Sequence, residues 1–317
     1  MRSTPDQPRN QLRNLSSYRL RDFQAELAKT PEGLKTGFAS LDKLVTIPQA
    51  AVTIVCGRTG HGKTTMMFNL LVNMSRMYKD KAFVFFSYEE PRRQLGLKLL
   101  NILCGTIVDP ESLGYNLAAL EDYVRKGRTD NPTLEKGKAE LGELLNSDRV
   151  LLEDEPYAVG DWAETVAAIC GQVPVGAVFV DYMQKVRIQG EFMSRQRELE
   201  RISERILDTA KSLSVPVILG AQLVRSPAHP DRVALDDLHG AGDIEQDAQV
   251  ALGLFNRVME EAQEESVPDT DSVTELEVTV LKNRNGPANG RALLDFNRAL
   301  LTLSEPEASP APQPASD

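Results

Sequence analysis

The residues that most clearly could do chemistry lie between Gly57 and Thr64, where the sequence fits the phosphate-loop pattern G-x-x-x-x-G-K-[ST]. An apolar, β-branched run precedes this segment at 51–56, and a run without glycine or proline follows it at 65–74. Strand, glycine-rich turn and helix is the order that aims backbone N–H groups and a helix N-terminus at a chain of phosphates. The segment therefore predicts a site for a nucleoside triphosphate.

Three predicted strands end in polar side chains that could complete such a site. Asp181 follows an apolar strand and can hold a Mg²⁺-bound water next to the Thr64 hydroxyl, which is itself expected to ligate the metal. Glu89 follows another strand and could orient and deprotonate an attacking water, with Glu90 as its competitor for that role. Gln222 could sense the terminal phosphate, although a purely structural glutamine is the alternative.

The nucleotide-binding set is predicted from these patterns. Lys63 is expected to reach the outer phosphates, and the glycines let the backbone approach the ligand closely. The full set comprises Gly57, Arg58, Thr59, Gly60, His61, Gly62, Lys63, Thr64, Thr65 and Asp181.

Two cations, Lys282 and Arg284, follow the strand predicted at 276–281. Lys282 and Arg284 are spaced i, i+2, so both side chains point the same way from an extended chain. They have no acid nearby in sequence, which suits contact with a phosphate bound to another subunit. A basic edge of a hairpin is the alternative interpretation.

Apolar runs that alternate with amphipathic runs are typical of a parallel sheet with helices on both faces. Strands are predicted at 51–56, 82–87, 149–153, 178–181, 215–220, 248–255, 276–281 and 292–296, and helices at 20–29, 91–104, 161–169 and 196–213. The segment 105–147 is predicted to be mostly polar and helical, without placed bounds, and the acidic stretch 259–272 is predicted to be a solvated loop.

The division predicted along the chain is a leader and linker helix at 1–33, a core at 34–303, and a disordered acidic, proline-rich tail at 304–317. The helix carries Leu20, Phe23 and Leu27 on one face. This stripe could fold back on its own domain or dock on a neighbouring subunit.

Composition and charge argue against several classes of protein. The 317 residues carry a formal net charge of −10, and no apolar run approaches the roughly 20 residues of a membrane span. The three cysteines are scattered and predicted to be buried in a reducing cytoplasm, without a zinc site or a disulfide frame. The acidic balance does not exclude nucleic acid, because a channel can concentrate its cations on one lining.

The motifs, in their order, resemble the C-terminal motor domain of DnaB-like replicative helicases, in the RecA-type ATPase superfamily. The matching segments are 36–42, the phosphate loop, 87–90, 181–184, 222–225, 237–248 and 282–287. The resemblance implies an α/β fold, a RecA-like P-loop ATPase core with a mostly parallel sheet and helices on both faces, preceded by a short linker helix. It also implies a hexameric ring with ATP and Mg²⁺ between subunits and single-stranded DNA in a central pore.

Carried over residue by residue, the resemblance makes Glu89 the catalytic base, Gln222 the sensor, and Lys282 and Arg284 the residues that act on the neighbour's nucleotide. The DNA contacts are expected at Arg225, Arg232, His239, Gly240, Ala241 and Gly242, with 238–242 as a pore loop. The family's pore loop usually reads Arg-Glu-Ser-Gly, so a cation is missing here. Fewer than forty residues precede the motor segment, so any collar, loader or primase is expected to be a separate protein.

Two functions follow from these features. The first is an ATP-driven ring motor that moves 5′→3′ on single-stranded DNA and unwinds duplex DNA, with the direction implied by the resemblance alone. The second is a RecA-type ATPase that acts as an assembly or regulatory switch on a protein partner. The segments 244–248 and 282–284 favour the first, while the weak charge of the pore loop and the acidic balance favour the second.

Overall fold

The computed structural model describes residues 20–29, 31–106, 117–190, 192, 194–224, 231–237, 242–261 and 273–307. Residues from Leu34 onward form one compact unit, and residues 1–33 form a separate unit. In the N-terminal unit, residues 1–33, the predicted helix is confirmed as α1, Leu20–Lys29. Its side chains Leu20, Phe23 and Leu27 are exposed. The predicted leader at 1–17 lies outside the described residues.

Nine strands of the described chain form one sheet, in the order β3-β2-β4-β5-β1-β6-β7-β8-β9. The strands are β1 Val52–Gly57, β2 Ala82–Ser87, β3 Val150–Glu153, β4 Val175–Asp181, β5 Val217–Gln222, β6 Val250–Phe255, β7 Val273–Asn283, β8 Arg291–Asn297 and β9 Thr302–Ser304. The first six in the spatial order are parallel, and β7, β8 and β9 join them antiparallel. The predicted α/β fold with a mostly parallel sheet is confirmed.

Helices cover both faces of the sheet. The described helices of the second unit are α2 Ala39–Asp42, α3 Lys63–Met77, α4 Arg92–Gly105, α5 Leu117–Arg125, α6 Pro132–Asn146, α7 Val159–Cys170, α8 Arg195–Leu213, α9 Gly242–Asp247 and α10 Arg257–Glu261, with short 3₁₀ helices at Met183–Lys185 and Leu235–Asp237. Side chains of α3 and α4 pack in one core, and side chains of α7 and α8 pack in the other.

The central strand shows why these residues form a strand buried on both sides. Successive side chains of a strand point to opposite faces, so an unbroken apolar run supplies two cores at once. In β1, Val55 belongs to the core on the α3 side, while Ile54 and Cys56 belong to the core on the α7 side. All six residues of β1 are buried.

The segment 105–147, predicted to be mostly helical without placed bounds, contains two helices, α5 and α6, which pack beside α4. Leu100 and Cys104 of α4 form a small third core with Leu120, Tyr123 and Leu134. The Asn131 side chain accepts hydrogen bonds from the Thr133 and Leu134 amides and so caps α6. Residues 107–116 lie outside the described chain.

The cysteine prediction is confirmed at two of three positions. Cys56 and Cys104 are buried, whereas Cys170 is partly exposed because it ends α7 at the surface, so its prediction is wrong. All three are free thiols. Burial raises the pKa of Cys56 to about 12, which makes it an inert apolar side chain.

The last strand ends close to the beginning of the compact unit. The Glu305 carboxylate accepts hydrogen bonds from the backbone N–H and the hydroxyl of Ser40, at 2.8 and 3.0 Å. The described chain therefore continues as structure into the segment predicted as a tail, of which 308–317 lies outside the described residues. Over the part of the chain that is described, no helix is long and apolar enough to cross a bilayer.

Candidate nucleotide-binding site

The strand register sets the predicted polar residues in one row at the carboxyl edge of the sheet. Gly57 lies opposite Gln222 in the β1–β5 pair, and Ser87 lies opposite Asp181 in the β2–β4 pair. Strand β2 is not next to β1, because β4 and β5 separate them. Glu89, two residues beyond β2, nevertheless reaches the same cavity as the phosphate loop.

The phosphate loop bends through two glycines in a left-handed conformation. Gly60 and Gly62 have φ of +82° and +86°, which side chains other than glycine rarely adopt. Helix α3 begins directly after Gly62 without a side-chain cap, so its first amides keep their donors for an anionic ligand. A Cβ at Gly62 would lie 3.2 Å from Cε1 of Phe296, so the loop also needs this glycine for packing.

Lys63 is oriented by the loop that it follows. Its ammonium group donates to the carbonyls of Gly57 and Arg58, both at 3.1 Å. Burial lowers the pKa of Lys63, and the negative charges of Asp181 and Glu89 act in the opposite direction. The charge sits at the base of the cavity, where an incoming phosphate group can replace the backbone carbonyls as its partner.

Asp181 and Thr64, the two residues predicted to hold a metal ion, contact each other. The Thr64 hydroxyl donates to Oδ2 of Asp181 at 2.7 Å. Burial raises the pKa of Asp181, and the Thr64 hydrogen bond and the Lys63 charge oppose that rise. A Cβ at Gly220 of β5 would lie 3.1 Å from Oδ1, so this glycine makes room for the carboxylate. A hydroxyl and a buried carboxylate beside a phosphate site are ligands that fit Mg²⁺ with its waters.

The structure distinguishes the two adjacent acids. Glu90 forms an ion pair with Lys98 of α4, which holds its carboxylate beside that helix. The Glu89 side chain is exposed, and both residues line the cavity. The Ser87 hydroxyl accepts hydrogen bonds from the amides of both acids, so the turn after β2 is fixed. Of the two, Glu89 has the geometry of a group that can meet a water in the cavity.

Gln222 lies at the junction of β5 and the phosphate loop. Its side-chain amide donates to the Thr59 hydroxyl at 2.7 Å. The Gln184 side chain makes two hydrogen bonds to the backbone of Gln222. It donates to the carbonyl at 3.2 Å and accepts from the N–H at 3.3 Å. Gln184 was not predicted as a site residue, although it lies within the matching segment 181–184.

Two predicted nucleotide residues point away from the cavity. The described lining includes Thr59 and Gly60 but not Gly57, Arg58 or His61, and the side chains of the last two are buried. Arg58 lies 2.9 Å from Oε1 of Glu260, and Nε2 of His61 lies 3.2 Å from Oε2 of the same carboxylate. Nδ1 of His61 accepts the Asn256 N–H at 3.1 Å, which requires an unprotonated Nδ1.

Electrostatics agrees with a neutral His61. Burial lowers its pKa to about 4, and the nearby Arg58 and Lys63 charges act in the same direction, while Glu260 opposes them. A neutral ring protonated on Nε2 accepts the Asn256 N–H at Nδ1 and places its own N–H 3.2 Å from the Glu260 carboxylate.

The prediction of a solvated loop at 259–272 is wrong at its beginning. Residues 257–261 form helix α10, and Glu260 is buried against Arg58. The sequence signal was Asn256, whose side chain accepts from the Met259 N–H as a helix cap does. Residues 262–272 lie outside the described chain.

The cavity has a volume of about 420 Å³ and includes residues that the sequence did not single out. Beyond the predicted set, Tyr182, Met259, Phe296, Arg298 and Leu301 line it. Strand β8 was predicted, but Phe296 at its end and Arg298 and Leu301 just beyond it form no known sequence motif. Met259 of α10 and Phe296 of β8 line the cavity because these two elements pack beside the phosphate loop, an arrangement that the sequence alone does not reveal.

Lys282 and Arg284 lie together at the end of β7, as their spacing predicted. Both donate to backbone carbonyls at the end of α9, Lys282 to Glu245 and Gln246, and Arg284 to Gln246. Burial and the Arg284 charge lower the pKa of Lys282. Neither residue lines the described cavity of its own chain.

The predicted DNA contacts are only partly described. Arg225, His239, Gly240 and Ala241 lie outside the described residues, and Gly242 is the first residue of α9. Arg232 is exposed. Helix α9 thus starts at the last residue of the predicted pore loop, and carbonyls near its other end accept hydrogen bonds from Lys282 and Arg284.

Curated relatives match most of the length of this chain. The chain is 29% identical over 306 residues to the replicative DNA helicase DnaB of Mycoplasma pneumoniae, covering 91% of this chain and 59% of the relative. It is 30% identical over 259 residues to that of Leifsonia xyli subsp. xyli, covering 80% of this chain and 52% of the relative. The chain therefore spans little more than half of these relatives.

Solved structures share the fold. A DnaB-like replicative helicase, described together with its interactions with primase, superposes with a TM-score of 0.70 at 21% identity over 96% of this chain and 67% of the other. A second solved structure, an isolated ATPase domain, gives 0.70 at 20% identity over 95% of this chain and 99% of the other. A family profile, the DnaB-like helicase C terminal domain, matches residues 33–305. The chain belongs to the family of DnaB-like helicase C-terminal domains.

Proposed function

We propose that this chain hydrolyses ATP and uses the energy to move along single-stranded DNA and unwind duplex DNA as part of a ring. The observation that carries the proposal is the single cavity that Lys63, Thr64, Asp181, Glu89 and Gln222 line together. These are the groups that phosphoryl transfer to water needs: a cation for the phosphates, two metal ligands, a base and a sensor.

Binding begins with the phosphate chain at the N-terminus of α3. The backbone N–H groups that follow Gly62 and the Lys63 ammonium provide positive potential at the base of the cavity. Lys63 exchanges its carbonyl partners for the outer phosphates. Thr64 and Asp181 would hold Mg²⁺, which neutralises charge that develops on the phosphates.

Hydrolysis then depends on one carboxylate and one amide. Glu89 accepts the proton of the attacking water, since its side chain is exposed in the cavity while Glu90 is paired with Lys98. Gln222 responds to the terminal phosphate. Because its side chain bonds to Thr59, a shift of the phosphate loop reaches the segment after β5.

The remaining cations act across a subunit boundary in this proposal. Lys282 and Arg284 lie at the end of β7, outside the cavity of their own chain, and reach the nucleotide of an adjacent copy in a hexamer. Helix α1 packs its exposed stripe on a neighbouring copy. Arg225, Arg232 and the segment 238–242 contact the DNA backbone in the pore, and the ring works in the cytoplasm with a loader or primase.

The test is the steady-state ATPase rate of the purified chain with and without a single-stranded oligonucleotide, using Lys63→Ala as the blank. Strong stimulation by the oligonucleotide supports a DNA motor, and strand separation is then measured on a forked duplex. Stimulation should weaken as salt rises, because phosphate contacts release counterions. Hydrolysis that is indifferent to DNA would contradict the proposal.

A further inference from the structure

Three successive residues of the phosphate loop, 57–59, are hydrogen-bonded to the stretch 222–232, which starts with the last residue of β5. The Gly57 carbonyl accepts the Leu223 N–H at 3.0 Å, and the Thr59 hydroxyl accepts the Gln222 side-chain amide. Between these two, the Arg58 guanidinium donates to the carbonyl of Arg232 at 3.0 Å. The loop therefore contacts both ends of the stretch from 222 to 232, of which 225–230 lies outside the described residues.

Arg58 is held where it is by a buried carboxylate. The residue is 4% exposed, and its Nη1 lies 2.9 Å from Oε1 of Glu260, which is 7% exposed. A buried charge is costly unless it is paired, so the carboxylate fixes both the burial and the direction of the guanidinium. The planar fork allows one side chain to meet a carboxylate and a carbonyl together, which an ammonium group does poorly.

The far end of the segment is itself a small fixed unit. The Val224 N–H donates to the Asp237 carbonyl at 3.1 Å, and the Ala234 N–H donates to the Asp237 carboxylate at 3.0 Å. Val233 packs on Gly253 of β6 so closely that a Cβ there would lie 2.7 Å from Cγ2. Movement of the Arg232 carbonyl is therefore transmitted to 231–237.

We propose that Arg58, fixed by Glu260, is a positioning residue that ties the carboxyl-terminal end of this segment to the phosphate loop. Gln222 connects nucleotide and segment at one end, and Arg58 connects them at the other. Nucleotide binding then sets the position of Arg232 through two contacts. The consequence for DNA rests on the proposed function, in which Arg232 contacts the DNA backbone, but the connection itself does not.

The test compares the wild-type chain with Arg58→Met/Glu260→Leu, which replaces the buried pair by apolar side chains of similar size and is expected to fold. A matched control, Arg76→Met/Glu140→Leu, removes an ion pair of α3 and α6 away from the cavity. Amide hydrogen exchange is measured at Val224, Ala234 and Asp237 with and without ADP. A Met at 58 cannot donate to the Arg232 carbonyl, whereas packing is kept.

In the wild type and the control we expect ADP to slow exchange at these three amides and in α3. In the Arg58→Met/Glu260→Leu chain we expect ADP to slow exchange in α3 alone, with the three amides exchanging about tenfold faster than in the wild type. A merely structural pair would leave the ADP response of 231–237 intact. That result, or no ADP response of these amides in the wild type, would overturn the inference.

If the double variant does not fold, Arg58→Lys serves instead, since one ammonium keeps the charge for Glu260 but does not span to Arg232. It should show the same loss of ADP response. A second readout is the ratio of ATPase rates with and without oligonucleotide, which should fall in the Arg58 variants and stay at the wild-type value in the control. A wild type without DNA stimulation would refute the proposed function, while the exchange data would still decide the connection.

Discussion

The cavity at the edge of the sheet and the end of β7 differ in where their charged side chains lie relative to the nucleotide site of their own chain. In the cavity, Lys63 at the start of α3, Asp181 at the end of β4 and Glu89 just beyond β2 meet within one chain. At the end of β7, Lys282 and Arg284 donate to carbonyls of α9 in their own chain and lie outside their own cavity. One set of groups is thus assembled within the chain, whereas in the proposed function the other set acts on a neighbouring copy.

The largest effect is expected from Lys63→Ala. It removes the cation at the base of the cavity, so hydrolysis should fall below detection, by about 1000-fold or more. The steady-state ATPase assay measures the loss, and thermal unfolding checks that the fold is kept. Measurable turnover would show that the cavity is not complete in the way proposed.

Arg284→Ala tests whether the second region acts across a boundary. Its loss should slow hydrolysis by about 1000-fold, the lower range for an arginine finger. Mixing it with the inactive Lys63→Ala chain should restore part of the rate, because some interfaces then combine two intact halves. The matched control is Arg291→Ala on β8, whose partner Glu277 is near the surface and whose loss should matter little. Mixed rings without recovery would argue for action within one chain.

Glu89→Gln separates binding from chemistry inside the cavity. It keeps the shape of the side chain but removes the base, so turnover should fall by about 100-fold while nucleotide affinity stays. Glu90→Gln is the control and should change turnover by less than about threefold, because it only weakens an ion pair with Lys98. A larger loss in the Glu90 variant would exchange the two roles.

The smallest effect concerns His61, under the phosphate loop. Its pKa in the fold is about 4 against an ordinary 6.5, so the unfolded chain binds more protons in that interval. Stability should therefore fall as pH drops below about 6.5, by about 1 kcal/mol at pH near 5.5 from this group. His61→Gln should flatten that part of the profile in thermal unfolding. Parallel profiles for the two chains would contradict the assignment.

Much of the cavity could be predicted because parallel strands carry their chemistry at their ends. Asp181 and Gln222 each end an apolar run, and the register of the parallel sheet sets Gln222 opposite Gly57 and Asp181 opposite Ser87. Glu89 follows the same rule, even though two strands separate β2 from β1. For these residues, strand prediction and phosphate-loop pattern were sufficient.

The rest depended on contacts between distant segments. Arg58 and His61 match the phosphate-loop pattern, yet their side chains bury against Glu260, about two hundred residues away in sequence. An acidic stretch gives no sign that one of its carboxylates has a buried arginine as partner. The helices α5 and α6 were expected only as a mostly helical segment without bounds, since most of their buried apolar residues pack on α4 and only Leu144 joins the core of the sheet.

The hydrogen bonds between Glu305 and Ser40 have a practical consequence for rearranging the chain. They hold the last described residues of the compact unit against its first helix, α2. Proteins whose ends lie together tolerate circular permutation well. A permuted compact unit, in which residue 305 is linked to residue 34 and the chain is opened at an exposed turn, should keep the cavity. A chain cut before Glu305 should lose the cap on α2, at a cost of about 1 kcal/mol.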